Sequence, residues 1–171
     1  TSALEISISY LNLNKKDEVI VPTQSFIADG SSVITNKGKI IFANINPNTF
    51  CLDLKEIKNC TSKNTKAIIL VHFGGYMPHD IRAIRSFCKK KNIKIIEDCA
   101  HAIGSKIDRY KAGTLGLSGC FSFFSTKTIT TAEGGMITTN DKKFYEYALS
   151  MRTRGNIKNL SVELYDKIGR N

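Results

Sequence analysis

Lys127 is the only charged residue between Lys111 and Glu133. It sits in the run Cys120-Phe-Ser-Phe-Phe-Ser-Thr-Lys127-Thr-Ile-Thr-Thr-Ala-Glu133-Gly-Gly, where its neighbours are apolar, hydroxyl and glycine residues. A lone ammonium in such surroundings is costly to desolvate. Desolvation favours the neutral amine, the form that attacks a carbonyl carbon and makes a Schiff base. A lysine on a loop whose head reaches water gives the same pattern, so a second feature is needed. It lies upstream: Ile93-Lys-Ile-Ile-Glu97-Asp98-Cys-Ala-His101-Ala-Ile-Gly104 reads as an apolar strand that ends in two carboxylates. Asp98 and Lys127 are 127 − 98 = 29 residues apart. They act together only if the fold brings them together.

The elements that must do so alternate along the chain. Helical patterns cover 2–13, about 26–35, 54–59, 80–91 and 142–151. Strand patterns cover 18–21, 39–43, 65–71, 93–97, 119–124 and 136–139. Asp53 and the pair Asn140-Asp141 stand where caps of the third and last helices belong. Short, continuously apolar strands such as Ala67-Ile-Ile-Leu-Val71, set between helices, predict an α/β fold. Its sheet is mostly parallel, with helices on both faces. Ligands of such sheets collect at the carboxyl ends of the strands. The segments predicted to line a site are therefore 22–26, 72–75, 98–101 and 122 onward.

A chain of 171 residues is long enough for one domain with a real core. No repeat, low-complexity segment or Pro/Gly linker divides it, so 1–171 reads as a single domain. The chain opens on Thr1 inside a helical pattern and reads as cut from a longer one. No apolar run reaches the roughly 20 residues of a membrane span and no leader pattern is recognisable, so no membrane partner is expected. The five cysteines, Cys51, Cys60, Cys88, Cys99 and Cys120, are odd in number and form no C-x-x-C. That argues against disulfides and zinc and for a reducing cytoplasm. His72, His79 and His101 show no metal-ligand spacing either, so no metal is expected. The net charge of +10 is spread along the chain; its one tight run, Lys89-Lys-Lys91, sits where a helix C-terminus favours cations. Without aromatic-basic interleaving the charge does not point to nucleic acid. It suits an anionic small substrate such as a sugar nucleotide.

No G-x-G-x-x-G and no Walker A loop occurs. What remains is a lysine, a strand-end aspartate, several hydroxyls and a Gly-Gly turn. Those parts suit pyridoxal phosphate (PLP). A lysine amine can hold its aldehyde carbon. A carboxylate facing the pyridine nitrogen keeps that nitrogen protonated and the ring electron-poor. Hydroxyls and helix N-terminal amides hold a phosphate.

Several motifs in register then resemble the DegT/StrS-type sugar aminotransferases, which are fold-type I PLP enzymes. They are Glu97-Asp98-Cys-Ala-His101-Ala-Ile-Gly, Ala112-Gly-Thr-Leu-Gly116, Phe121-Ser-Phe-Phe-Ser-Thr-Lys127 and Ala132-Glu-Gly-Gly-Met-Ile-Thr-Thr-Asn140. Upstream, Thr1-Ser-Ala-Leu4, Asp17-Glu-Val-Ile-Val-Pro22 and Thr65-Lys-Ala-Ile-Ile-Leu-Val-His72 join them. The match runs in order to about Asn156 and weakly to Gly169-Arg-Asn171.

The resemblance implies roles residue by residue. Lys127 would hold the cofactor covalently and later move the proton. Asp98 would pair with the pyridinium nitrogen, and Ser122 would contact the phosphate. Thr1 and Ser2 match the family's phosphate-binding turn. Phe26 falls where the family has an aromatic stacked on the ring, and His101 where it has Gln or His near the ring hydroxyl. Each residue also has a plainer reading: Asp98 as a helix N-cap, Ser122 as a strand-end hydroxyl, Phe26 as core, His101 as an exposed helix residue. Glu133-Gly-Gly reads as a turn without chemistry.

By resemblance the sheet has seven strands, the one from Met136 antiparallel and near its end. The implied function is transfer of an amino group from an amino acid, with glutamate as the expected donor, to a keto nucleotide-sugar, by a cytoplasmic homodimer. Amino-sugar or cell-surface polysaccharide biosynthesis would use such a product. The family's N-terminal segment, its small C-terminal domain and the arm into a partner's site are expected outside this chain, so the chain alone is expected to be inactive. Ala132, where Gly is common, and Gly74-Gly-Tyr-Met-Pro78 depart from the family pattern. Two further readings stay open: a sugar dehydratase of the same family, whose pattern has histidine where Lys127 stands, and a non-catalytic scaffold that kept the fold.

Overall fold

A computed structural model describes residues 1–153 and 155. In chain order the elements are α1 (Ser2–Ser9), β1 (Glu18–Pro22), α2 (Ile27–Thr35), β2 (Lys39–Ala43), α3 (Leu54–Cys60) and β3 (Thr65–Val71). They continue with α4 (Ile81–Lys91), β4 (Lys94–Asp98), β5 (Lys106–Ile107), β6 (Tyr110–Lys111), β7 (Ser118–Ser122), β8 (Gly135–Thr138) and α5 (Lys142–Arg152). One six-stranded sheet runs β2-β1-β3-β4-β7-β8. Its first five strands are parallel, and β8 pairs antiparallel with β7 at the edge. The antiparallel last strand matches expectation. The strand number does not: there are six, not seven, among the described residues. After β8 the chain goes directly into α5.

The central strands are continuous apolar runs because both their faces are covered. Every residue of β1 is buried, and only Lys66 is exposed in β3. On one face Ile20, Ile68, Leu70, Ile95 and Phe121 pack with Ile57 of α3 and Ile81, Ile84 and Cys88 of α4. On the other, Val19, Val21, Ile69, Val71, Ile96 and Cys120 pack with Leu4 and Ile8 of α1 and Ala28 and Val33 of α2. Each buried isoleucine or valine contributes about 1.5–3 kcal/mol. Strand side chains alternate between faces, so these two clusters fix the facing of every strand residue. On β4, Ile95 belongs to the α3/α4 face and Ile96 to the α1/α2 face. Glu97 therefore follows Ile95, and Asp98 follows Ile96.

Local signals set the helix ends. Asp53 accepts from the Glu56 amide at 2.9 Å, and Asp141 from the Phe144 amide at 3.0 Å, both as N-caps. Asn92 closes α4 in the left-handed region at φ 56°, after Lys89, Lys90 and Lys91 in its last turn. Helix α1 ends at Ser9, short of the expected residue 13, because Asn12 takes φ 48°. Leu13 remains buried beyond that turn, so its apolar character extended the helical pattern past the true end. The β5–β6 hairpin is too short to register as alternation and was not foreseen. Among the described residues no helix is long and apolar enough to cross a membrane, and all five cysteines are free.

Candidate active site

The carboxyl edge of the parallel sheet is built from the ends of β1, β3, β4 and β7, as the sheet rule expects. Asp98 is the last residue of β4 and lies beside Cys120 in register, two residues before Ser122 ends β7. Cys120 packs on the α1/α2 face. By alternation Asp98, Cys120 and Ser122 share that face. Asp98 is 7% exposed. Its Oδ1 accepts from the Ala100 amide at 2.8 Å, and no donor reaches Oδ2 among the described residues. That bond has the local form of an N-cap, but no helix follows; residues 99–101 form a turn.

The other proposed residues surround this edge. Thr1 caps α1 through its backbone, accepting from the Glu5 amide at 3.0 Å, and Ser2 opens the helix. Phe26 is the N-cap residue of α2 with φ −78° and ψ 149°, and it is 67% exposed. It is therefore not core, which was its plainer reading. Ser122 is half-buried, with its Oγ 3.4 Å from the Phe124 amide. His101 is exposed on the turn after β4, not on a helix. Its Nδ1 accepts from the Gly74 amide at 3.4 Å, and its ring meets the edge of Phe73 at 5.8 Å. It thus packs against the loop that follows β3.

Lys127 lies on the excursion between β7 and β8, which is clasped at its base. The Phe123 amide donates to Gly134 O at 2.8 Å, and the Thr131 amide donates to Phe123 O at 3.0 Å. The Lys127 amide donates to Phe124 O at 2.9 Å in a tight turn. The clasp keeps the lysine's backbone at the carboxyl end of β7. The enclosure read into its uncharged neighbours is partial: Lys127 is half-buried, and Thr126 and Thr128 are exposed. Its ammonium makes no ion pair among the described residues.

Glu97, the other carboxylate of the strand end, takes the opposite face and is fully used. Its Oε2 lies 2.9 Å from His72 Nε2 and accepts from the Gly113 amide at 2.8 Å. Its Oε1 accepts from the Leu115 amide at 2.7 Å. The loop 112–116 approaches closely because Gly113 has φ +83° and Gly119 carries no side chain; a Cβ on Gly119 would strike the Gly113 Cα. His72, Glu97 and Cys99 offer grouped ligand atoms. With Glu97 already accepting two amides and facing His72, its oxygens are committed to holding the loop.

One buried acid was missed in the sequence. Asp29, in the first turn of α2, is 0% exposed. Burial pushes it up to about 8, and the charge of neighbouring Asp98 adds to the rise; the Ser25 hydroxyl opposes it. The signal was present: Asp29 sits between Ala28 and Gly30, with Ser32 and Val33 one turn on, which makes it a charge on an otherwise small and apolar helix face.

The arrangement fits PLP on the chain's own terms. Asp98 has one oxygen free of donors at the sheet edge, Phe26 offers an exposed ring on the α2 side, and α1 presents its N-terminus. GDP-perosamine synthase of Escherichia coli O157:H7 is 39% identical over 155 residues, covering 91% of this chain and 42% of the relative. An aminotransferase from Psychrobacter cryohalolentis superposes with a TM-score of 0.91 at 30% identity, covering 99% of this chain and 45% of that one. NtdA from Bacillus subtilis, solved with bound cofactor PMP, superposes with a TM-score of 0.86 at 29% identity, covering 99% of this chain and 38% of that one. The chain spans 40–42% of the length of the first curated relatives it matches. Residues 1–171 match the DegT/DnrJ/EryC1/StrS aminotransferase family, and the chain belongs to that family.

Proposed function

We propose that the whole protein is a PLP-dependent aminotransferase that moves an amino group from an amino acid, glutamate in the first instance, to a keto nucleotide-sugar. The single observation that carries the reading is the shared facing of Asp98 and Ser122 at the carboxyl edge, with Lys127 tethered to the end of the same strand. The names of the relatives support the substrate class, and PMP in NtdA supports the cofactor.

When bound, PLP supplies a carbonyl carbon that exchanges amino groups and an electron-poor ring that takes up the electron pair of a broken C–H bond. The chain's residues would do the rest. Asp98 Oδ2 would hold the proton of the ring nitrogen in a charge-assisted hydrogen bond. Ser122 Oγ and the amides at the start of α1, with Thr1 and Ser2, would hold the phosphate. Phe26 would stack on the ring, and His101 would stand by its hydroxyl. Lys127 Nζ would bind covalently in the resting enzyme and, once displaced, move the proton between carbon positions.

Exposed apolar residues toward this edge, Phe26, Ile27, Phe124 and Ile129, support a cover from the rest of the protein and from a second copy, as a homodimer. The small domain would then come from outside this single large-domain unit. Free cysteines support a cytoplasmic setting. A dehydratase of the same family is disfavoured by Lys127.

Adding an amino donor to the whole PLP-loaded protein tests the reading. The visible absorbance should shift as the donor reacts. In Lys127→Arg, which keeps charge but lacks the nucleophilic amine, catalytic turnover should be abolished with the fold intact. Full turnover in Lys127→Arg overturns the assignment.

A further inference from the structure

We propose that Asp29 is a positioning residue for Asp98: a buried carboxylic acid that donates its O–H to the Asp98 carboxylate. The inference rests on the reading above, in which Asp98 faces the ring nitrogen, and adds a residue behind it.

Asp29 is completely buried, and neither of its carboxyl oxygens has a hydrogen-bond partner among the described residues. Protonation gives it a donor. An acid has an O–H to donate, and the Asp98 carboxyl is its neighbour. The groups facing Asp29 come from every element packed there. They are Asp98 from β4, the Cys120 thiol from β7 and the Ser25 hydroxyl ahead of α2. Ser25 Oγ faces Asp29 and also lies 3.4 Å from Phe26 O, while Cys120 Sγ meets Ser7 Oγ at 3.4 Å. The first-turn position on α2 favours an anion through the helix dipole, but that effect is small beside the cost of a fully buried bare carboxylate. Two neighbouring carboxyls in an apolar site do not both ionise. The pair then presents one negative charge to the cleft. Asp98 is held from two sides, by the Ala100 amide at Oδ1 and by the Asp29 acid.

Burial first, and Asp98 second, push Asp29 up to about 8 from an ordinary 3.8. Between those values the folded protein keeps a proton that the unfolded chain gives up. Stability therefore falls as pH rises through this window and levels off above it. An amide at the position carries no such titration and keeps a donor toward Asp98.

The test is difference infrared spectroscopy on the whole protein, without cofactor and again saturated with PLP, with urea melts across pH. We expect a protonated-carboxyl C=O band at pH 7 that fades near pH 8 and is absent in Asp29→Asn. In Asp98→Asn the fading should move to lower pH. The decline of stability with pH should be lost in Asp29→Asn; Asp29→Ser serves if the amide does not fold. A band independent of Asp29, or an unchanged pH slope in both variants, overturns the inference. If the band behaves as expected but PLP binds equally well to wild type and Asp98→Asn, the proton stands and the assignment of Asp98 to the ring nitrogen falls.

Discussion

Two consecutive carboxylates close β4, and the pleat sends them to opposite faces of the sheet. Glu97 is 0% exposed and faces three donors: two loop amides and His72. Asp98, at 7% exposed, has one amide on one oxygen and a second acid, Asp29, as its neighbour. A buried carboxylate with all its acceptors used is a structural clamp. One that keeps an oxygen free at the carboxyl edge has capacity for a ligand. The same side-chain chemistry, one residue apart, thus divides between holding the fold and offering a site.

The largest expected effect breaks the clamp. Glu97→Ala leaves the Gly113 and Leu115 amides and His72 Nε2 buried without their acceptor. Urea denaturation of the whole protein should show a loss of roughly 3–5 kcal/mol. A loss under about 1 kcal/mol would show that the loop is held some other way. Asp98→Asn probes the other face. Its amide oxygen can still accept from Ala100, and the charge beside Asp29 is gone. Stability should change by less than about 1 kcal/mol while amino transfer slows on the order of 10–100-fold, the equivalent of one charge-assisted hydrogen bond at about 1.5–3 kcal/mol. If instead Asp98→Asn unfolds the protein and leaves turnover per folded molecule unchanged, the division between the two carboxylates is wrong. The smallest effect belongs to Phe26. Being exposed, it should lose under about 0.5 kcal/mol of stability as Phe26→Ala. The affinity for PLP should drop by about 0.5–1.5 kcal/mol, the worth of a lost ring contact. Equal affinity in a titration removes Phe26 from the site.

Much of this was legible in the residues because the signals are local. The apolar runs of β1, β3 and β4 needed cover on both faces, and that alone gave the parallel sheet and its productive edge. Asp53 and Asp141 announced their helices by cap chemistry. The lone Lys127 and the strand-end Asp98 stood out by charge against their surroundings. What stayed hidden depends on contacts far apart in sequence. Nothing near Glu97 says that amides 16 and 18 residues on will close around it. Nothing near Asp29 says that residue 98 lies beside it. The end of α1 at Ser9 rests on one backbone dihedral at Asn12, which the burial of Leu13 masks. Resemblance carried the order of the motifs correctly but suggested one strand more than the described sheet has.

The measurement closest to the central claim is borohydride reduction of the whole PLP-loaded protein, followed by peptide mapping. The Lys127 amine, on the excursion after β7, is the only nucleophile the account assigns to the cofactor, so the label should sit on Lys127 alone, in the peptide that begins after Lys111. Cofactor fixed on any other lysine, or none fixed at all, contradicts the account.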